Sequence, residues 1–325
     1  MPPPLSLTRR QPRTATVLAI GAALALAAVA GCTSPASTPH PQDAAADVVR
    51  LTGAGSTFDA PFFSQAFAAY QQAHPGVAVS YAAVGSSAGI SRFAAGQVNF
   101  GATDVPASAA DLVGARGGPA LQVPVDLGAV SVAYNVQRRS DARLKLTGPV
   151  LARIFLGQIT HWKDPAITAL NPGADFPDIS INVVHRADGS GTTYIFTNYL
   201  SEVSPAWATQ VGTGRSVHWP TGYAATGNPG VATAIDHIPN SIGYAERSYT
   251  TGTALGTAAI ANQAGNYVTP TTAAITADAA ARPVISDTSF SIDAPLDQPE
   301  GRLEDSRSGG QHEPDGAGPG ALTGH

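Results

Sequence analysis

The chain has one cysteine, one methionine and little charge: Asp, Glu, Lys and Arg make up 13% of its 325 residues. A lone cysteine excludes an internal disulfide framework and a thiolate metal cluster. The 8 histidines include no i,i+4 pair flanking a Glu, so neither a metal site nor a cofactor is expected. Basic residues are scarce, with 18 Lys plus Arg against 23 Asp plus Glu and a formal net charge of −5. No basic run forms a nucleic-acid surface, and an acidic protein repels a polyanion. The sparse charge and the 34 Gly and 26 Pro, without any internal repeat, exclude a coiled coil and a fibrous chain.

Long apolar runs are missing too, with one near exception. Ala15 to Ala30 reads ATVLAIGAALALAAVA, behind a start that carries Arg9, Arg10 and Arg13 and no acidic residue. A membrane span takes about 17–25 apolar residues, whereas this shorter run suits the hydrophobic region of a secretory signal. It closes in Val29-Ala30-Gly31-Cys32, which resembles a bacterial lipobox with Cys32 as the acylated first residue of the mature protein. An ordinary signal peptide with an incidental cysteine is the alternative. Residues 33–47 are rich in Pro, Ser and Ala and read as a flexible tether. After Pro295 the chain turns polar and Gly/Pro-rich, and residues 295–325 read as a disordered tail.

Between these ends, short β-rich runs alternate with helical stretches, the pattern of an α/β domain. A strand over VVRLTGAG leads to a helix over Ala60 to Gln72, with Phe63, Phe67 and Tyr70 on one face. Strands at Val77 to Val84 and Val98 to Thr103 bracket a helix at Ile90 to Ala95. Leu121 to Val136 is an almost unbroken apolar stretch, read as a strand passing from one lobe to the other. Further helices are expected from Gly148, over Ser190 to Glu202 and over Pro229 to His237, with strands at Ile181 to Val184 and Ser241 to Ala245.

The chemistry concentrates in four Gly/Ser/Thr turns: Gly53 to Phe58, Gly85 to Gly89, Phe100 to Asp104, and His185 to Thr193. Glycines let backbone N–H groups approach a ligand, hydroxyls add donors, and a helix N-terminus adds free N–H groups and a positive dipole end. Each turn alone is equally an ordinary helix cap. Meeting in one cleft, they make an oxyanion site that needs little formal charge.

The segments LTGAGSTFDAPFF, VGSSAGISRFAAGQVNFGATDVP, LARIFLGQITHWKDPAITALNPG, VVHRADGSGTTYIFTNYLSEVSPAW and HWPTGYAATGNPGVATAIDHIPNSIGYAE resemble, in order, the substrate-binding protein of the Pst-type phosphate ABC transporter. The likeness runs from about Leu51 to Ser291. It implies a two-lobed, type II periplasmic-binding-protein fold, each lobe a β-sheet flanked by helices, with the ligand in the cleft. It implies phosphate contacts from Thr57, Phe58 (through its backbone), Ser86, Asp104, Arg186, Ser190, Gly191 and Thr192, with Asp188 holding the Arg186 guanidinium. A carboxylate at Asp104 suits an anion that keeps a proton: hydrogen phosphate has one near neutral pH and sulfate has none.

The expected organisation is a signal over 1–32, a tether over 33–47, a first lobe from 48–124 and 250–294, a second lobe over 125–249, and the tail. Where relatives continue with a Tyr-Pro-containing strand and a closing helix, this chain enters its polar tail, so the resemblance implies a first lobe lacking its last part. The expected partners are inorganic phosphate, the permease subunits of an importer, and the membrane through the anchor. Two alternatives stand beside this reading. One is an orphan ligand-binding, adhesin or sensor lipoprotein on the same fold. The other is a serine hydrolase using Ser190, although Asp188-Gly189-Ser190-Gly191 lacks the G-x-S-x-G elbow. A dinucleotide fold fails because its third glycine falls at Phe58.

Overall fold

Glycines, hydroxyl residues and prolines punctuate the chain into short elements, and their pairing in a computed structural model sets two sheets around one cleft. The structure describes residues 48–118, 120–137 and 142–280. The signal, Cys32, the tether and the tail therefore lie outside the described residues, as do residues 281–294 of the expected first lobe.

The first half is built on β1 (Val49–Gly55), α1 (Ala60–Ala73), β2 (Val77–Ala83), α2 (Ser86–Ala94) and β3 (Phe100–Ala102). Its sheet runs β2-β1-β3, all parallel, with Gly55 opposite Ala83 on one side and Ala102 on the other. Pro61 in the first turn of α1 and Gly76 after it bound that helix. Two expectations shift here. The second helix begins at Ser86, four residues before Ile90, so the Gly85 to Gly89 turn is the first turn of α2. The α1 stripe is also shorter than predicted: Phe63 is buried and stacks on Phe67, whereas Tyr70 is 49% exposed.

Leu121 to Val136 is not one strand. Only β4 (Val130–Asn135) forms; Leu121 to Ala129 has no regular structure, and Leu121, Val123, Val125 and Leu127 are exposed. Pro124 has no N–H for a ladder, and apolar side chains alone do not pair a backbone.

The second half contains β4, β5 (Lys145–Leu146), α3 (Gly148–Phe155), α4 (Pro165–Thr168), β6 (Asn182–Arg186), α5 (Gly191–Val203), α6 (Pro205–Gln210), β7 (Tyr223–Ala225), α7 (Gly227–His237) and β8 (Ser241–Glu246). A 3-10 turn over Arg247–Tyr249 then leads to β9 (Gly256–Thr257), β10 (Ala259–Ala261), β11 (Tyr267–Val268) and α8 (Thr272–Ala280). The larger sheet is ordered β7-β6-β8-β4-β9, with β6 parallel to β7 and β8, and β4 antiparallel to β8 and β9. A smaller sheet joins β11, β10 and β5. Residues 256–261, expected in the first lobe, therefore pair with β4 and β5 instead. Leu151, Ile154 and Phe155 of α3 are fully buried, with Trp162, Leu200, Trp207 and Tyr244, in the main core cluster. Thr147 caps α3 by accepting from Val150 N at 3.4 Å. No helix among the described residues is long and apolar enough to cross a membrane.

Candidate functional site

In a mostly parallel sheet, the loops leaving the carboxyl ends of the strands are free to build a site. All four turns lie there: after β1, after β2, after β3 and after β6. The structure brings them together across the two halves. Gly191 N donates to Ser86 Oγ at 3.0 Å, Thr192 Oγ1 donates to Asp104 Oδ2 at 2.8 Å, and Ser87 N donates to Gly189 O at 3.1 Å. Close approach depends on glycine at two points. A Cβ on Gly191 would lie 2.7 Å from the Asp104 side chain, and one on Gly85, whose φ is +93°, would lie 2.4 Å from Asp188 Oδ2.

Arg186 ends β6 and is 3% exposed. Its Nε and Nη2 both donate to the Asp188 carboxylate, the first at 2.9 Å, while Nη1 faces Thr192 Oγ1 at 3.5 Å. Asp188 is held in turn by Gly227 N at 2.9 Å. Burial pushes the Asp188 carboxyl up, but the Arg186 hydrogen bonds, the Gly227 N–H and the guanidinium charge together hold it below the usual range. The pair thus fixes one edge of the fork and leaves Nη1 turned toward Thr192.

Ser190 is buried and caps α5, accepting from Thr193 N at 3.1 Å, while its own N–H goes to Arg215 O at 2.8 Å. Its part is therefore to aim the helix rather than to offer its backbone donor. Phe58 N likewise donates to Ser56 Oγ at 2.9 Å, so the backbone donor expected there has a local acceptor. Thr57 Oγ1 accepts from both N and Nδ2 of Asn228 at 3.0 Å, which leaves its hydroxyl proton to give.

Asn228 is a site residue that sequence reasoning missed. Fully buried in the first turn of α7, it also donates from Nδ2 to Thr192 Oγ1 at 3.2 Å and accepts from Glu246 N at 3.0 Å. Gly227-Asn228-Pro229 carried the signal, since Gly and Asn ahead of a proline mark a helix start. The N-termini of α2, α5 and α7 all face this cleft through Ser86, Gly191 and Asn228, which brings the positive ends of three helix dipoles to it.

Against that stands Asp104. Burial raises its carboxyl above the ordinary range, opposed by hydrogen bonds from Ser56 and Thr192, the Arg186 charge and Ser86. The carboxylate satisfies the same hydroxyls that would serve an oxyanion, so a ligand sharing the cleft has to bring a proton to it or displace it. The described residues hold no cluster of three metal-ligating side chains.

With this geometry, residues 35–296 match the PBP superfamily domain. The chain is 38% identical over 266 residues to the phosphate-binding protein PstS of Methanocaldococcus jannaschii, covering 79% of this chain and 68% of that one. It is 42% identical over 234 residues to the PstS of Xylella fastidiosa, covering 72% of this chain and 63% of that one. The chain thus spans less than two thirds of the length of the Xylella relative. A solved high-affinity periplasmic phosphate-binding protein, bound with phosphate, is similar with a TM-score of 0.55 at 24% identity, over 74% of this chain and 70% of that one. The fold is the two-lobed periplasmic-binding-protein fold, and the chain belongs to the PBP superfamily and, within it, to the PstS family of its relatives.

Proposed function

We propose that this chain captures inorganic phosphate, as hydrogen phosphate, outside the cytoplasm and delivers it to the permease subunits of an ABC importer. One observation carries the reading: a buried Arg186 fork, paired with Asp188, and the starts of three helices share a cleft with the Asp104 carboxylate. Donors on all sides demand an oxyanion, and the carboxylate demands one that is still protonated. The relatives' names, which specify phosphate binding, support the same ligand. Thr57 contributes a hydroxyl proton; the Gly191 N–H, Ser86 and Thr192, whose protons go to Ser86 Oγ and Asp104 in this arrangement, turn to the ligand as it displaces those contacts, while Ser190 and Asn228 orient helices and Asp188 orients Arg186. Ser190 serves as a helix cap, which supports binding rather than hydrolysis.

The division of labour extends to the rest of the chain. Residues 48–124 and 125–249 supply opposite walls of the cleft and close over the ligand, and Cys32 tethers the mature protein to the outer face of the cell membrane. Changing Cys32 to serine should release the protein or leave its precursor uncleaved, read by fractionation and mass.

The test of the ligand is calorimetric titration with phosphate and sulfate at neutral pH. Wild type should bind phosphate and reject sulfate by about 10⁴-fold, the penalty for leaving a site's polar group unmatched. Asp104→Asn should narrow that gap, because an amide can turn its NH₂ toward an ionised oxygen. Arg186→Ala should weaken both anions. Equal binding of the two anions by wild type would sink the assignment, and binding of neither would leave an orphan binding protein on the same fold.

A further inference from the structure

Outside the four turns, another contact crosses the cleft. Asp111 lies in the run that leaves β3, where Ser108 N and Oγ each donate to its Oδ2 at 2.8 Å and Arg116 N fastens the run to Ala94 O of α2 at 3.0 Å. Arg215 lies beyond α6, where the neighbouring Gly214 N donates to Thr197 Oγ1 of α5 at 3.1 Å. The two residues lie in loops of different halves, yet their side chains meet as a fork on a fork. Arg215 Nη1 donates to Asp111 Oδ1 at 2.9 Å and Nη2 to Oδ2 at 3.0 Å, with Nη2 also 3.4 Å from Pro106 O. The side chains are 20% and 25% exposed, so the pair sits at the rim, part-shielded from water. The Arg215 bonds, outweighing what burial there is, hold the Asp111 carboxyl well below the usual range.

The main chain completes the connection. The carbonyl of Arg215 accepts the N–H of Ser190, the cap of α5. One residue therefore reaches across the rim with its side chain and supports the anion turn with its backbone.

We infer that the Asp111–Arg215 pair is the latch of the cleft, holding the two halves together over a bound anion and setting how long it stays. The inference rests on the phosphate reading of the site. A contact made in the closed arrangement and lost on opening shifts that equilibrium by its own differential free energy. Such a contact acts chiefly on release, because the anion must reach the donors before the rim can shut. Neither residue is among those assigned to hold the anion, so substitution leaves those donors in place.

Phosphate affinity and dissociation rate should be measured for wild type, Asp111→Asn, Arg215→Gln and the double variant, with melting temperatures alongside. Each single change should speed release about 5–20-fold and weaken affinity by the same factor, the range of an ordinary coupling. The double variant should be no worse than the singles. The association rate should move less than about 3-fold. Release unchanged in singles that still bind would overturn the latch alone. Effects that add in the double variant would overturn the pairing. A wild type that binds no phosphate overturns the phosphate reading and the latch with it.

Discussion

The half built on β1–β3 and the half built on β4–β9 contribute comparably to the cleft but are scaffolded unequally. Trp162, Trp207, Tyr244, Phe155 and Leu200 are buried together in the second half, and of the residues before β4 only Phe58 joins that cluster. Among described residues, the large exposed apolar side chains show the opposite bias. Val49, Leu51, Tyr70, Leu121 and Val123 all precede β4, and Tyr223 alone follows it. Along β1 the first four residues are exposed and the last three are buried, so the first sheet is dry mainly where it meets the site. Electrostatic strain follows the same division. Burial raises the carboxyls of Asp59, Asp104 and Asp126, all of which precede β4, and neighbouring acids add to it at Asp59 and Asp126, with Glu246 alongside from the end of β8. A binding site can thus be assembled from one well-packed wall and one weakly packed wall, provided their contacts meet in the cleft.

Core truncation should expose this inequality most. Trp207→Ala should cost about 3–5 kcal/mol, as expected for a fully buried aromatic, because α6 loses its anchor and the Gly212 O bond to the indole N–H. Phe63→Ala, beside exposed Phe62 and half-buried Phe67, should cost about 1–2 kcal/mol, because a thinly covered site collapses more easily. Denaturant unfolding checks both, and equal costs would refute the contrast.

A smaller effect should come from Asp59, whose carboxyl burial pushes up from 3.8 to about 8, helped by Asp104, Asp126 and Glu246. Its proton is bound more tightly in the folded state than in the unfolded one. The stability it contributes is therefore complete below the unfolded value and is lost as pH rises through about 8. Asp59→Asn should flatten that decline and gain about 1–3 kcal/mol near pH 9 relative to pH 5. Melting curves at the two pH values decide it, and parallel curves for wild type and variant would rule it out.

The smallest effect should come from the exposed run after β3. Val123→Thr and Val125→Thr should each change stability by less than about 0.5 kcal/mol, while lowering the binding of a hydrophobic dye. A larger loss would mean that this run packs against the first sheet in solution.

Local physics made much of the molecule readable in advance. The β1 strand, the α1 helix and the helices starting near Gly148 and Ser190 depend on residues a few positions apart, whereas the Arg186–Asp188 pair was implied by the resemblance. Glycine freedom, side-chain capping and alternation act at that range. Errors arose where the answer lay farther along the chain. The Leu121 to Leu127 run has strand composition, but no strand is hydrogen-bonded to it. Tyr70 keeps the helical spacing of Phe63, yet the first sheet does not extend over it.

The sequence alone determined which short segments could become donors: small residues, hydroxyls and one arginine ahead of helices. Only the tertiary structure decided that Asn228 bonds to Thr57, 171 positions away, and that Arg215 grips Asp111, 104 positions away. The physical reason is distance along the chain. A cap is specified by its own turn, whereas a contact across a cleft exists only after two sheets have paired, and no local preference records which partner will then be opposite.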